Sequence, residues 1–217
     1  MSAILYLDTS AQESLVMLIR KGQPPVIRSN SVPKDHGQVI NLHIADVMTE
    51  AMVSWQDLQA VCVLNGPGSY TGLRMSLGTA KGICYAQDIP LVLLNRLDLL
   101  FHHIPPAQRT DLNGILIYAR AGEYFFAAYG VHGEVLVQPG LSTSDELNER
   151  MSSQTLKLFS IDELPFADFP DCTLIQVRPE QVGEFCLLAC EARQYADLFL
   201  SEPFYLKNVH INKINNL

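Results

Sequence analysis

The sequence predicts an α/β protein built in two parts, each of which has strands followed by helices. Short apolar runs alternate with segments of helical period, and residues 105–114 combine proline, asparagine and glycine with few large apolar side chains. A chain of 217 residues with 48% hydrophobic and 18% charged residues has an ordinary globular balance and can hold two small cores. We therefore predict an N-terminal part over residues 1–104 and a shorter C-terminal part over residues 105–217.

The N-terminal part begins with a predicted antiparallel meander of three strands. Residues 3–10 and 13–23 are apolar runs separated by a short polar turn. Residues 24–32 supply a third run, whose prolines favour an edge or the start of a strand. Residues 35–52 then change to a helical period, with Asp35 as the expected N-cap.

Two crossover units follow this helix. Residues 60–65 and 90–95 are apolar runs typical of buried parallel strands, and each precedes a segment of helical period. The two helical segments cover residues 71–87 and 96–104. Three strands, then helix, strand, helix, strand and helix predict a mixed sheet whose parallel strands are joined by crossover helices.

The C-terminal part is less regular. Residues 115–140 predict two or three strands, residues 142–151 a short helix, and residues 179–198 a long helix. Because strands again precede helices, we interpret this part as a degenerate copy of the first.

Charge and composition exclude several classes of protein. The net charge of −8 is spread along the chain and does not favour unaided binding to nucleic acid, which needs a concentrated basic face. The first residues lack a basic region and include Asp8 too early for a signal peptide, and no apolar run approaches the roughly 20 residues of a membrane span. We expect a cytoplasmic location, no membrane contact and five free thiols.

The segment "NGPGSYTGLRMSLGTAKG" directly follows a predicted buried strand and raises the question of a phosphate-binding loop. Gly66 and Gly68 predict a tight turn, and the helix start beyond it, with Thr71 as N-cap, favours anions. A Walker A loop would need a lysine beside Ser or Thr, and the dinucleotide fingerprint would need glycine at Thr71. Neither pattern holds. The candidate phosphate-binding residues are Asp8, Thr9, Gly66, Gly68, Ser69 and Thr71.

Small residues form two stripes on the predicted helix 71–87. Glycine inside a helix costs about 1 kcal/mol relative to alanine, so another backbone must approach this helix closely. The approaching element is either the chain's own sheet and first helix or a second subunit. The two stripes are Gly72, Ser76, Ala80 and Gly78, Gly82, Ala86.

Candidate metal ligands do not form a convincing set. Asp8 either holds a magnesium ion or a phosphate at the end of its strand, or caps the turn. His36 and His43 are seven residues apart, whereas helical ligand pairs are three or four apart. Cys186 and Cys190 have a suitable spacing, but no further ligand is near them in sequence. We predict no metal site and no catalytic nucleophile.

Together these segments resemble the bacterial TsaB family, also called YeaZ. The resemblance follows the chain in order and covers nearly all of it. One departure is Tyr118, which stands where the family usually has aspartate in "DAR". The matching segments are "ILYLDTS" (4–10), "DHGQVINLHIADVM" (35–48), "NGPGSYTGLRMSLGTAKGICYAQDIPLV" (65–92), "ARAGEYFFAAYG" (119–130) and "EPFYLKN" (202–208).

The resemblance implies a two-lobed fold of the actin-like ATPase, sugar kinase and Hsp70 type with mixed five-stranded sheets. It also implies a non-catalytic subunit of the complex that transfers a threonylcarbamoyl group to N6 of the adenosine beside the anticodon of tRNAs reading ANN codons. This subunit would pair with TsaD, with TsaE joining them, reach tRNA only through the complex, and form homodimers when alone. It would need no cofactor. The alternative is a stand-alone phosphotransferase or hydrolase of the same fold that binds ATP and Mg²⁺.

The resemblance places the pairing surface on the first two helices, residues 36–52 and 71–87. The second stripe of small residues then contacts the partner subunit. The interface residues implied in this way are His36, Val39, Ile40, His43, Val47, Arg74, Met75, Gly78, Thr79, Gly82 and Tyr85.

Overall fold

The computed structural model describes residues 2–153, 155–162 and 169–206, which form two sheets with helices packed around them. The strands are β1 (Ala3–Asp8), β2 (Ser14–Ile19), β3 (Val26–Asn30), β4 (Leu58–Gly66), β5 (Leu91–Asn95), β6 (Asn113–Arg120), β7 (Glu123–Tyr129), β8 (Val135–Thr143), β9 (Lys157–Ser160), β10 (Thr173–Leu174) and β11 (Tyr195–Ala196). The helices are α1 (His36–Glu50), α2 (Tyr70–Gln87), α3 (Arg96–His103), α4 (Ser144–Ser153) and α5 (Pro179–Glu191).

The first sheet has the strand order β11-β5-β4-β1-β2-β3. The pairs β1–β2 and β2–β3 are antiparallel, whereas β1–β4 and β4–β5 are parallel, which confirms the predicted meander followed by crossover units. The sheet has six strands instead of the expected five because β11 pairs with β5, Tyr195 lying opposite Val92.

Helices cover both faces of the first sheet, so β1 is buried at every residue. On one face α1 and α2 pack through an apolar cluster that includes Ile44 and Leu77. Asp35 precedes α1 as predicted, although its side chain makes no capping hydrogen bond. On the other face α5 packs through Val182 and Cys186. Two covered faces explain why the strands are apolar without alternation.

The second sheet has the order β10-β9-β6-β7-β8 and is also mixed. The pairs β6–β7 and β7–β8 are antiparallel, and β6–β9 and β9–β10 are parallel. The helix α3 lies between the two sheets, with Leu99 in the core of the first and Phe101 in the core of the second. On its other face the second sheet packs against Leu147 of α4.

The chain crosses between the two sheets more than once, so the strand order alone does not define a boundary at residue 105. The division at that residue stays a prediction. The segments from β6 to β10 form the second sheet, whereas α5 and β11 return to the first. The predicted long helix 179–198 ends at Glu191, since residues 195–196 are extended. Residues 207–208, part of the last segment of the resemblance, lie outside the described residues. No helix within the described ranges is long and apolar enough to cross a membrane.

Candidate functional site

Asp8 and Arg96 form a buried ion pair at the carboxyl end of the first sheet. Arg96 begins α3 directly after β5, and its Nη2 donates to Asp8 Oδ2 at 2.8 Å and to Oδ1 at 3.1 Å. The two side chains are 10% and 8% exposed. The same guanidinium donates to Ser10 Oγ at 2.7 Å and, through Nε, to Pro67 O at 3.0 Å. One side chain therefore joins the segments that follow β1, β4 and β5.

The structure shows Asp8 as a turn cap. Its Oδ1 accepts hydrogen bonds from the backbone N–H of Ser10 at 2.8 Å and from Ser10 Oγ at 2.7 Å. The negative charge that a magnesium ion would use is neutralised by Arg96. Sequence reasoning missed Arg96, whose only local signal is an arginine placed directly after a buried strand.

The glycines of the loop after β4 let three backbone segments meet. Gly66 has φ +130°, a left-handed region that favours glycine, and a Cβ there would lie 2.6 Å from Phe204 O. A Cβ at Gly68 would lie 2.8 Å from Ser10 O, and one at Gly72 would collide with Thr9 O. The glycines are therefore required for packing of the chain against itself.

Two backbone groups of this loop and of the start of α2 form hydrogen bonds within the chain. The N–H of Ser69 donates to Ser10 O at 2.8 Å, and Thr9 Oγ1 donates to Gly72 O at 2.6 Å. Ser69, whose Oγ accepts from Gly72 N at 3.4 Å, is the N-cap of α2. The prediction of Thr71 as N-cap is wrong, because the helix begins at Tyr70. Three of the candidate phosphate-binding residues, Asp8, Thr9 and Ser69, are thus hydrogen-bonded to other groups of the chain, namely Ser10, Gly72 and Arg96.

A cavity of about 630 Å³ separates the two sheets beside this network. Its walls include Tyr70, Tyr118 and Phe125. Tyr118, which departs from the family pattern, donates a hydrogen bond from its backbone N–H to Asp162 Oδ2 at 2.8 Å. The two arginines on the walls are ion-paired, Arg96 with Asp8 and Arg120 with Glu123. Each of these cations thus has a carboxylate partner within the chain.

The predicted interface residues of α1 separate into buried and accessible groups. His36, Ile40 and Val47 face the core, and the ring of His36 is hydrogen-bonded through Nε2 to Asn30 O at 3.1 Å. Their assignment to the interface stays a prediction, and in the single chain these three side chains are buried. Val39 and His43 are half-buried on the neighbouring face of α1.

On α2 the two stripes of small residues have different roles. The stripe of Gly72, Ser76 and Ala80 is buried against the chain itself. Gly78 and Gly82 are exposed, and a Cβ at either position would meet nothing within 4 Å. The first stripe therefore fits close approach by the chain's own backbone. Contact of the second stripe with another subunit stays a prediction. The other interface residues predicted on this helix are exposed or half-buried, namely Arg74, Met75, Thr79 and Tyr85.

A C-terminal strap, defined as residues 197–206, runs beside α2. Lys81 Nζ donates to Phe199 O at 3.2 Å, and Arg74 Nε donates to Tyr205 Oη at 2.8 Å. The ring of Tyr205 also stacks on Tyr70 with centroids 4.8 Å apart. Sequence reasoning missed these contacts because more than a hundred residues separate the strap from α2.

The cysteines are free thiols, as predicted. Cys62 of β4 lies beside the pair on α5, with its Sγ 3.8 Å from that of Cys190. Burial raises the pKa of the Cys84 and Cys172 thiols to about 11, so both remain protonated at neutral pH. Within the described ranges, no group of three or more His, Cys, Asp or Glu side chains is arranged to hold a metal ion.

Comparison with known proteins identifies the family. Residues 28–164 match the family described as "TsaD: tRNA N6-adenosine threonylcarbamoyltransferase". This match covers more than half of the chain, which therefore belongs to that family.

Relatives within the family refine the assignment. The chain is 28% identical over 126 residues to the tRNA threonylcarbamoyladenosine biosynthesis protein TsaB of Escherichia coli (strain K12), covering 58% of this chain and 54% of that protein. It is 24% identical to the tRNA N6-adenosine threonylcarbamoyltransferase of Staphylococcus haemolyticus (strain JCSC1435), over 99% of this chain and 65% of that protein. The chain thus spans about half to two thirds of these relatives. The TsaB-named relatives assign it to the TsaB (YeaZ) group, as the sequence predicted.

A solved structure shares the fold. YeaZ from Pseudomonas aeruginosa superposes with a TM-score of 0.75 at 20% identity, covering 95% of this chain and 100% of that one. The similarity confirms the predicted α/β class with two mixed sheets.

Proposed function

We propose that this chain is a non-catalytic subunit of the complex that transfers a threonylcarbamoyl group to N6 of adenosine in tRNA, and that it pairs with a TsaD-type catalytic subunit. The open stripe of Gly78 and Gly82 carries the proposal. Glycines on an exposed helix face cost about 1 kcal/mol each relative to alanine, and a Cβ at either position would meet nothing within 4 Å in the monomer. A partner helix that packs closely over them accounts for this composition.

The network at the end of β1 supports a non-catalytic role over a stand-alone phosphotransferase or hydrolase. Such an enzyme would need a carboxylate available to a metal and amides available to a phosphate. Here Asp8 is paired with Arg96, and the amide of Ser69 is bonded to Ser10. In the proposed complex, TsaD supplies the reacting groups and this chain supplies a surface.

The acidic charge supports an indirect relation to tRNA. A protein of net charge −8 gains little from phosphate contacts, so we assign tRNA binding to other subunits of the complex. TsaE would join the assembled pair, and two copies of this chain would associate through the same helices when TsaD is absent.

Reconstitution tests the proposal. TsaD, TsaE and the threonylcarbamoyl-adenylate synthase are combined with threonine, bicarbonate, ATP and unmodified tRNA, with and without this chain. We expect modified tRNA only when this chain is present in stoichiometric amounts. Equal product in its absence would contradict the proposal.

Variants in the same assay locate the pairing surface. Gly82→Glu adds a charge to the open stripe and should abolish both co-purification with TsaD and product formation. Gly82→Ala should fold normally, because a Cβ there meets open space. Asn148→Glu places the same charge on exposed α4 and should leave pairing unchanged. Full pairing of the Gly82→Glu chain would exclude this surface.

A further inference from the structure

An apolar patch formed by Tyr85, Phe199 and Leu200 extends the exposed face of α2. These side chains are 71%, 77% and 80% exposed, respectively. The rings of Tyr85 and Phe199 meet edge to face, with centroids 6.4 Å apart. Large apolar side chains grouped on a surface commonly mark a contact with another molecule.

The turn that carries Phe199 and Leu200 has its own hydrogen bonds. Asp197 Oδ1 accepts from the backbone N–H of both residues at 2.8 Å, and Ser201 N donates to Asp197 O at 3.0 Å. These backbone bonds also lower the pKa of the Asp197 carboxyl below its usual value. These bonds fix the backbone that carries the two apolar side chains before any partner binds, which reduces the backbone entropy lost on association.

This turn is attached to α2. Lys81 Nζ donates to Phe199 O at 3.2 Å, and Tyr85 supplies the ring contact. Tyr85 lies three residues after Gly82, on the same side of the helix. The glycine stripe and the patch thus form one continuous surface, with a flat part at the glycines and a raised part at the rings.

We propose that the patch is a second contact for the TsaD-type subunit, an inference that rests on the proposed function. Continuity with the Gly78–Gly82 surface is the argument, because a helix laid over the glycines must run beside Tyr85 and the strap. The matching partner surface is an apolar helix face with aliphatic side chains along its edge, against which Phe199 and Leu200 pack. The glycines determine how closely the helices approach, and the patch adds buried apolar area.

The test compares the double variant Phe199→Ser/Leu200→Ser with a matched control in a binding titration against TsaD. We expect the double variant to weaken the affinity about tenfold or more, as loss of apolar anchors does at interfaces. The control Leu174→Ser/Leu188→Ser changes side chains that are 57% and 53% exposed elsewhere on the molecule, and should bind normally. The single variant Leu200→Arg serves if the double variant does not fold, since its side chain lies in solvent.

Further outcomes separate this inference from the proposed function. Normal TsaD affinity of the double variant, together with loss of pairing in Gly82→Glu, would overturn the patch and leave the proposed function standing. Normal affinity of both variants would overturn both. A double variant that lost only self-association would assign the patch to a second copy of this chain and would also overturn the inference.

Discussion

The pairing of Asp8 with Arg96 determines the chemistry available at the end of β1. A buried carboxylate that accepts from Ser10 and from a guanidinium has its charge and its lone pairs satisfied within the chain. Buried pairs of this kind are weak sources of net stability, but removal of one partner leaves an uncompensated charge. Arg96 is thus a positioning residue for three loops.

The substitution Arg96→Met tests this role. It leaves the Asp8 carboxylate buried without its cation, and we expect the free energy of unfolding to fall by about 3–5 kcal/mol in urea denaturation at neutral pH. The double variant Asp8→Asn/Arg96→Met should recover part of the loss, because a neutral amide needs no counter-charge. A loss in the single variant no larger than that of the double variant would contradict the argument.

At the scale of the element, α2 has two faces that use small residues for different reasons. Gly72 admits the backbone of the β1–β2 turn, whereas Gly78 borders open space. The buried face keeps the helix against the sheet, and the exposed face is available to another helix. Amphipathic patterning alone does not separate the two, because glycine, serine and alanine stand on both.

Alanine substitution at each glycine separates the faces. Gly72→Ala forces a Cβ against Thr9 O and should destabilise the protein by about 1–3 kcal/mol. Gly78→Ala meets open space and should stabilise it by up to about 1 kcal/mol through helix propensity. Each variant is the control for the other in a thermal unfolding series, and equal shifts in Tm would exclude the proposed difference.

At the scale of the whole molecule, two sheets enclose a cleft that has the size of a ligand site and whose two arginines are ion-paired within the chain. The cavity of about 630 Å³ lies in the range of small-molecule sites. Its arginines are paired within the chain, and the adjoining glycine loop is packed against the β1–β2 turn. Under the proposed function, the partner therefore binds the exposed face of α2, and the cleft binds no nucleotide.

Calorimetry with ATP and Mg²⁺ examines this conclusion. We expect no saturable heat from the isolated chain, because neither the cleft arginines nor the Ser69 amide is free to bind phosphate. An unrelated ATP-binding protein, titrated under the same conditions, serves as a positive control. A saturable isotherm would instead support the stand-alone enzyme.

The local sequence pattern was sufficient to predict the strands and helices that follow one another along the chain. The meander, the crossover units and the stripes on α2 depend on the periods of apolar and small residues, which the sequence displays directly. The resemblance to TsaB depended on segments such as "NGPGSYTGLR", and comparison with relatives confirmed it. These features are local, so the sequence by itself determined them.

The tertiary structure decided what depends on distant residues. Arg96 reaches Asp8 across 88 positions, β11 adds a sixth strand to the first sheet, and the strap lies against α2. Burial of His36 and Val47 likewise depends on which face of α1 meets the sheet. Because such contacts are selected by packing of the whole chain and not by local propensity, neither spacing nor composition could reveal them.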